Sequence, residues 1–356
     1  MAQLKNTTIN DSEFIRVPSG TTAQRPASPQ PGMIRYNTTI QRTEFYNGTR
    51  WVNLDHPLQA TTTGTVVTQN FKNYTVHAFN GSGTITFLEP TIIDCIIVAG
   101  GGSGSNDNGA GGAGGVVLVR GFPVDVQSYT ITVGSGGAAP AAGARRLGIN
   151  GQNSTAFGYT ASGGGGGGSP SSPNATAFND NCRKGLDGGS GGGAGRRSLQ
   201  ACTDNNFNQT RGESTQNQYI SDQYAIGYGH PGVNQGPTSN FNNGGAGGAG
   251  SEPSQGFGTG ASAQPGNGGI GMYFGDMFGD NFGDNGWFAG GGGGTADNSA
   301  TTGLIGLGGR GGGGNGGTQA GQAGQTNTGG GGGAGRQDNG PGGAGGSGIV
   351  IIRYLR

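Results

Sequence analysis

The sequence predicts an all-β protein in which a small β-meander attachment module precedes a glycine-rich β domain with packed polyglycine-II-type rods. Three observations carry this expectation. Short β-branched or aromatic runs recur along the chain, each bounded by glycine or other turn chemistry. Pro18, Pro26, Pro29 and Pro31 fix φ and bias the residues before them toward extended geometry, so no helix runs through that stretch. Of the 86 glycines, 80 lie after residue 99, and several tracts begin where an apolar run ends.

Taken in order, residues 1–17 are a polar lead that ends in an alternating run, Phe14-Ile15-Arg16-Val17. Residues 33–37 and 43–46 are alternating runs, and Asn47-Gly48 turns the chain into 50–54, a strong hairpin signal. A meander of this size is not stable alone in water and needs a partner, either another copy or a different protein. Residues 1–55 are therefore read as a module for attachment and oligomerisation, with Ile34, Tyr36, Phe45, Tyr46 and Trp51 as its contact residues. The Thr-rich residues 56–75 read as a linker or edge strand, and the glycine-rich domain as 76–356.

Further strands are expected at 74–79, 84–88, 92–99, 116–120, 129–133, 157–161 and 349–354. Ile96-Ile97-Val98-Ala99 runs into Gly100, Val133 into Gly134, and Ser162 into the tract 163–168. A disordered glycine-rich tail has no reason to respect such punctuation. Glycine tracts without side chains can lie side by side as extended three-residue-per-turn rods whose backbone groups bond one another. Collagen is excluded because glycine does not recur strictly every third residue. Leu, Ile, Val and Phe total 58 residues, about 16% of the chain, which argues against an ordinary large hydrophobic core and places the order in hydrogen bonds between rods.

Nineteen basic residues balance nineteen acidic ones, so the chain has no basic stripe for nucleic acid or anionic lipid. The leading residues lack an apolar signal segment, and the apolar run at 92–99 is too short to span a bilayer. The expectation is synthesis in a host cytoplasm, with no membrane insertion and no nucleic-acid partner. Cys95 reads as buried filler, whereas Cys182 and Cys202 lie within a polar insertion at 169–238 and either pair late or stay as thiols. No cysteine or histidine spacing suggests a metal.

Two parts of the chain carry a resemblance. Residues 18–54, PSGTTAQRPASPQPGMIRYNTTIQRTEFYNGTRWVNL, resemble a short module recurrent in tail fibres and other virion proteins of tailed phages, especially marine and cyanobacterial ones. Residues 92–168, with IIVAGGGSG, GAGGAGGVVLV and YTITVGSGG, together with GGAGGSGIVIIRY near the end, resemble the glycine-rich domain of phage tail and adhesin proteins. The second resemblance implies an all-β base under a polyglycine sandwich, with the last strand returning beside the first ones. It also implies that loops between the rods can carry receptor recognition.

Catalysis finds little support. At this glycine content about eight G-x-G-x-x-G matches arise by chance in the last 257 residues, so the motif says nothing of nucleotides. His56, His77 and His230 have no motif-bearing nucleophile or carboxylate nearby, and no cofactor is implied. The most distinctive segment is 272–288, where Phe-Gly-Asp repeats three times and six rings, Tyr273, Phe274, Phe278, Phe282, Trp287 and Phe288, sit among turn residues. Such rings serve either as the core that caps the rods or as anchors of a recognition surface. The spacing of Asp276, Asp280 and Asp284 is not that of a calcium loop. Tyr219, Tyr224 and Tyr228, with His230, form a second recognition candidate, polar-tipped rings in the insertion.

The expected function is that of a non-enzymatic phage virion protein at the particle surface. A tail fibre or adhesin, held by other virion proteins and contacting a host protein or glycan, is expected first, as a homotrimer. A capsid-surface fibre or decoration protein is the alternative, and a glycine-rich filament or matrix protein the second.

Overall fold

The computed structural model describes residues 16–54, 60–143, 146–169, 184–195, 211–216, 218, 222–234, 245–257, 264–296, 303–336 and 340–355. The chain divides into two units, Met1–Gln59 and Ala60–Arg356.

In the first unit, β1 (Ser19–Gly20), β2 (Ile34–Asn37), β3 (Arg42–Tyr46) and β4 (Trp51–Asn53) form one sheet in that order. The β3–β4 turn works through both residues of its Asn-Gly pair. The Asn47 side-chain oxygen accepts the backbone N–H groups of Thr49 and Arg50, while Gly48 takes a left-handed φ of 104°. Ile34 lies opposite Phe45, which lies opposite Val52, so these apolar residues share one face. Arg35 and Glu44, also opposite one another, take the other face.

In the second unit, β6 (Val66–Phe71), β7 (Tyr74–Phe79), β9 (Thr91–Val98), β10 (Val116–Val124), β14 (Ala225–Tyr228) and β17 (Ile349–Leu355) make a six-stranded antiparallel sheet. Its order is β14-β10-β9-β17-β7-β6. The final strand thus lies between two of the early ones, as the resemblance implies. A smaller sheet, β11-β8-β5, joins Ser128–Ile131, Gly83–Phe87 and Ala60–Thr63. The hairpin of β12 (Ser154–Ala156) and β13 (Tyr159–Ala161) replaces the single strand expected at 157–161. Its two turn residues, Phe157 and Gly158, both have positive φ, as the twist of a two-residue hairpin requires.

Of the two readings of residues 56–75, linker or edge strand, residues 60–71 take the second: they are the edge strands β5 and β6, because their Thr and Val side chains suit a half-exposed sheet margin. The insertion at 169–238 is not wholly separate from the domain: glycines within 184–195 bond into the rods, and 225–228 is edge strand β14. Cys182 and Cys202 lie outside the described residues. The sparse apolar residues also make a real core by concentrating in the large sheet. One face carries Val76, Ile96, Val98, Leu118 and Ile351 toward the phenylalanines of 272–288. On the opposite side, Tyr354 meets Phe87 of the smaller sheet edge-on at 5.7 Å. Burial on both sides explains why β9 and β17 read as nearly continuous apolar runs instead of alternating ones.

Above this sheet lie the rods. Residues 100–105 show the arrangement: Gly101 donates to Gly346, Gly102 to Gly112, Ser103 to Ile149 and Gly104 to Gly343, all within 2.8–2.9 Å. In return Gly137 donates to Gly101, Gly164 to Gly100 and Gly332 to Gly102. One rod therefore bonds six surrounding segments among the described residues, the pattern of a polyglycine lattice and not of a sheet. The spacing demands glycine: a Cβ on Gly101 would fall 2.1 Å from the carbonyl oxygen of Gly330.

Candidate functional site

The 272–288 segment folds as a compact loop. Strands β15 (Met272–Tyr273) and β16 (Trp287–Phe288) pair at its base, and α1 (Gly275–Phe278) is a single turn. Left-handed φ angles at Gly279, Gly283 and Gly286 reverse the chain repeatedly, which is the physical use of the repeated glycine. Each reversal sends a phenylalanine inward. Phe274, Phe278, Phe282 and Phe288 are all buried in the main core cluster. As receptor contacts these four residues are corrected, because they have almost no surface to offer.

Tyr273 and Trp287 differ. Tyr273 is 38% exposed and Trp287 half-buried, their ring centroids lie 5.3 Å apart, and the Arg310 guanidinium sits 5.0 Å from the Trp287 ring centre. The Tyr273 hydroxyl donates to Asp280 at 2.8 Å, and that bond holds the phenol pKa above its ordinary value. Asp284 instead accepts the Gly311 N–H at 2.9 Å. Among the described residues no three His, Cys, Asp or Glu side chains gather as a metal site.

The second candidate divides as well. Tyr219 lies outside the described residues. Tyr224 packs edge-on against Phe122 at 5.5 Å, and Phe122 also meets Tyr159 at 5.8 Å. The Tyr159 hydroxyl donates to the Asp222 carboxylate, and burial together with this bond raises the Tyr159 pKa. Tyr228 packs against the main core cluster, and His230 is half-buried. These rings serve mainly to fasten β14 and its approach to the domain.

In the attachment module the candidates fall on two faces. Ile34 and Tyr36 remain 45% and 37% exposed, with Phe45 half-buried beside them. Tyr46 and Trp51 belong to the opposite face, over a buried polar network. There Glu44 accepts from Arg25 at 2.6 Å, from Arg35 at 3.1 Å and from Asn37 at 3.2 Å. Burial alone would raise the Glu44 pKa, but the bonds from Arg25 and Asn37 and the charges of both arginines outweigh it and hold the carboxyl low. The Trp51 ring lies about 6 Å from both guanidinium carbons. The module therefore has a polar interior and an apolar exterior.

One concavity in the second unit carries no signal in the sequence. A cleft of about 350 Å³ opens between β6, the 281–283 turn and residues 325–327. Its rim is made of amides and one hydroxyl, from Asn80, Asn281, Gln325, Thr326 and Asn327. In sequence each of these reads as ordinary turn chemistry, so no local signal marks them, and only the fold brings positions 80, 281 and 325 together.

No curated protein matches the chain. Residues 77–355 match the family model described as a glycine-rich domain, a range that runs from within β7 to the end of β17 and takes in the rods between them but not β6. By that match, and by the rod lattice on its sheet base, the chain belongs to the glycine-rich domain family.

Proposed function

We propose that this protein is a non-enzymatic structural component of a bacteriophage particle, a tail fibre or adhesin that contributes to host binding. The observation that supports this most is the character of the first unit. Residues 18–54, which resemble the tailed-phage module, belong to a compact unit of their own and leave Ile34 and Tyr36 exposed. An apolar outer face on a small sheet is suited to other virion proteins or to further copies of the chain, and a homotrimer accounts for it. The rod domain then acts as an inert, tightly bonded support, displayed at the virion surface, for whatever contacts a host protein or glycan.

Deleting residues 1–55 and analysing purified particles by mass spectrometry tests the reading. Particles that assemble but lack the protein support it; particles that retain the truncated chain at full stoichiometry overturn it. One observation favours the capsid-surface decoration reading: four of the six rings in 272–288 are core, which leaves a smaller aromatic surface for recognition. Electron microscopy of virions labelled with antibody to the glycine-rich domain separates tail from head.

A further inference from the structure

We propose that the cleft bounded by Asn80, Asn281 and the 325–327 turn is a binding site for a neutral oligosaccharide. The proposal deepens the adhesin reading by naming a ligand class for the same domain.

None of the ten residues that line the cleft carries an ionisable side chain. A charged ligand would therefore enter without a counter-charge, at a desolvation cost that nothing there offsets. A purely apolar ligand fits no better, since it would cover the rim amides and leave them unpaired. A polyhydroxylated neutral ligand meets both conditions. Each planar amide presents a donor and an acceptor side by side, which suits adjacent sugar hydroxyls. Among the apolar lining residues, Val67 is 45% exposed and offers a side that suits the C–H face of a pyranose ring, with Phe282 and Ile349 buried behind it.

The rim is also held in place. Asn281 donates to Gln69 at 3.3 Å, Gln69 to the Phe278 carbonyl at 3.3 Å, and Gln325 to the Gly283 carbonyl at 3.3 Å. These bonds use amide N–H groups of Asn281 and Gln325, and neither side-chain oxygen accepts a hydrogen bond among the described residues. Asn80 and Thr326 make no side-chain hydrogen bond among the described residues. Asn327 adopts a left-handed φ of 59°, and its side-chain oxygen accepts the Ser347 hydroxyl at 3.1 Å, so the third wall is shaped by a backbone conformation few side chains tolerate. A volume near 350 Å³ lies at the small end of ligand sites and fits one or two sugar rings.

The test uses the full chain. Calorimetry and saturation-transfer NMR with maltotriose, lactose and chitotriose probe the neutral class, and sialyllactose serves as the charged comparison. Paired variants Asn80→Ala with Gln325→Ala are measured beside the unaltered protein, with circular dichroism and thermal melting to verify the fold; Thr326→Val is a second variant that keeps volume. Host-cell binding by the same preparations is scored separately. The proposal expects at least one neutral probe to bind with millimolar or tighter Kd, and at least tenfold weakening in the double variant. It is overturned if no neutral probe binds, or if both folded variants bind as the parent does. Cell binding without binding of any neutral probe sinks the cleft and leaves the adhesin reading standing. Binding of a neutral probe that the variants weaken, without cell binding, supports the cleft and removes the adhesin reading.

Discussion

Arg353 and Asp94 lie opposite one another on β17 and β9, and two guanidinium nitrogens of Arg353 donate to one oxygen of Asp94, at 2.7 and 2.9 Å. The remaining Arg353 nitrogen donates to the Met277 carbonyl at 2.6 Å, and the guanidinium lies 5.5 Å from the Phe278 ring centre. The second Asp94 oxygen accepts the Gly121 N–H at the bulge in β10. One ion pair thus ties two central strands to the aromatic loop on one side and to an irregular strand on the other.

Asp94→Ala is expected to destabilise the second unit by about 3 kcal/mol, because it leaves a largely buried guanidinium without its charge partner. Chemical denaturation measures the change. An effect under about 1 kcal/mol would mean that the pair behaves as an exposed surface contact.

A pH dependence follows from His77, which is buried between Thr68 and Tyr354, each 2.8 Å from one of its ring nitrogens. Burial lowers its pKa from 6.5 to about 4 and raises that of Tyr354 to about 12. The unfolded chain binds the proton first, so stability is fully present above pH 6.5 and is lost as the pH falls toward about 4. The loss is of order 3 kcal/mol. Melting curves from pH 7 to 4 should show it, and a His77→Gln variant should lose that part of the slope while retaining the part due to carboxylates.

The rings of 272–288 should separate by role. Phe278→Ala is expected to cost about 3–5 kcal/mol, as for other large aromatics removed from a core. Tyr273→Ser with Trp287→Ser should leave the fold standing and reduce adsorption to host cells. Unchanged adsorption by that folded double variant would strengthen the capsid-surface reading.

Association is expected through the outer face of the first unit. Ile34→Asp with Tyr36→Asp should shift the protein from trimer toward monomer in sedimentation. A parent protein that sediments as a 35.2 kDa monomer contradicts the oligomer.

Much of the architecture was legible from residue types. The strands at 74–79, 92–99 and 349–354 announce themselves because β-branched runs end at glycine, and the glycine tracts themselves specify rods by lacking side chains. Edge strands such as β5 and β14 were harder to read, since Ala-Thr-Thr-Thr and Ala-Ile-Gly-Tyr become strands only where a neighbour offers its free edge. The aromatic loop shows the same limit at a site. Phe278 and Tyr273 look alike in a run of turn residues, and only the folded path of the loop decides which ring goes inside. Nothing local to Asn80 or Gln325 could announce a cleft that needs segments more than 200 positions apart.

The glycine tracts are ordered by bonds between rods and are not a flexible tail above a sheet. Residue-resolved hydrogen exchange of the amides of Gly101, Gly104, Gly111 and Gly164, each bonded to a distant segment, tests it most directly. Protection equal to that of Ile96 and Val98 in the adjoining strand is expected, with loss only on global unfolding. Exchange of these glycines at the rate of an unstructured chain, while the β9 amides stay protected, would contradict it.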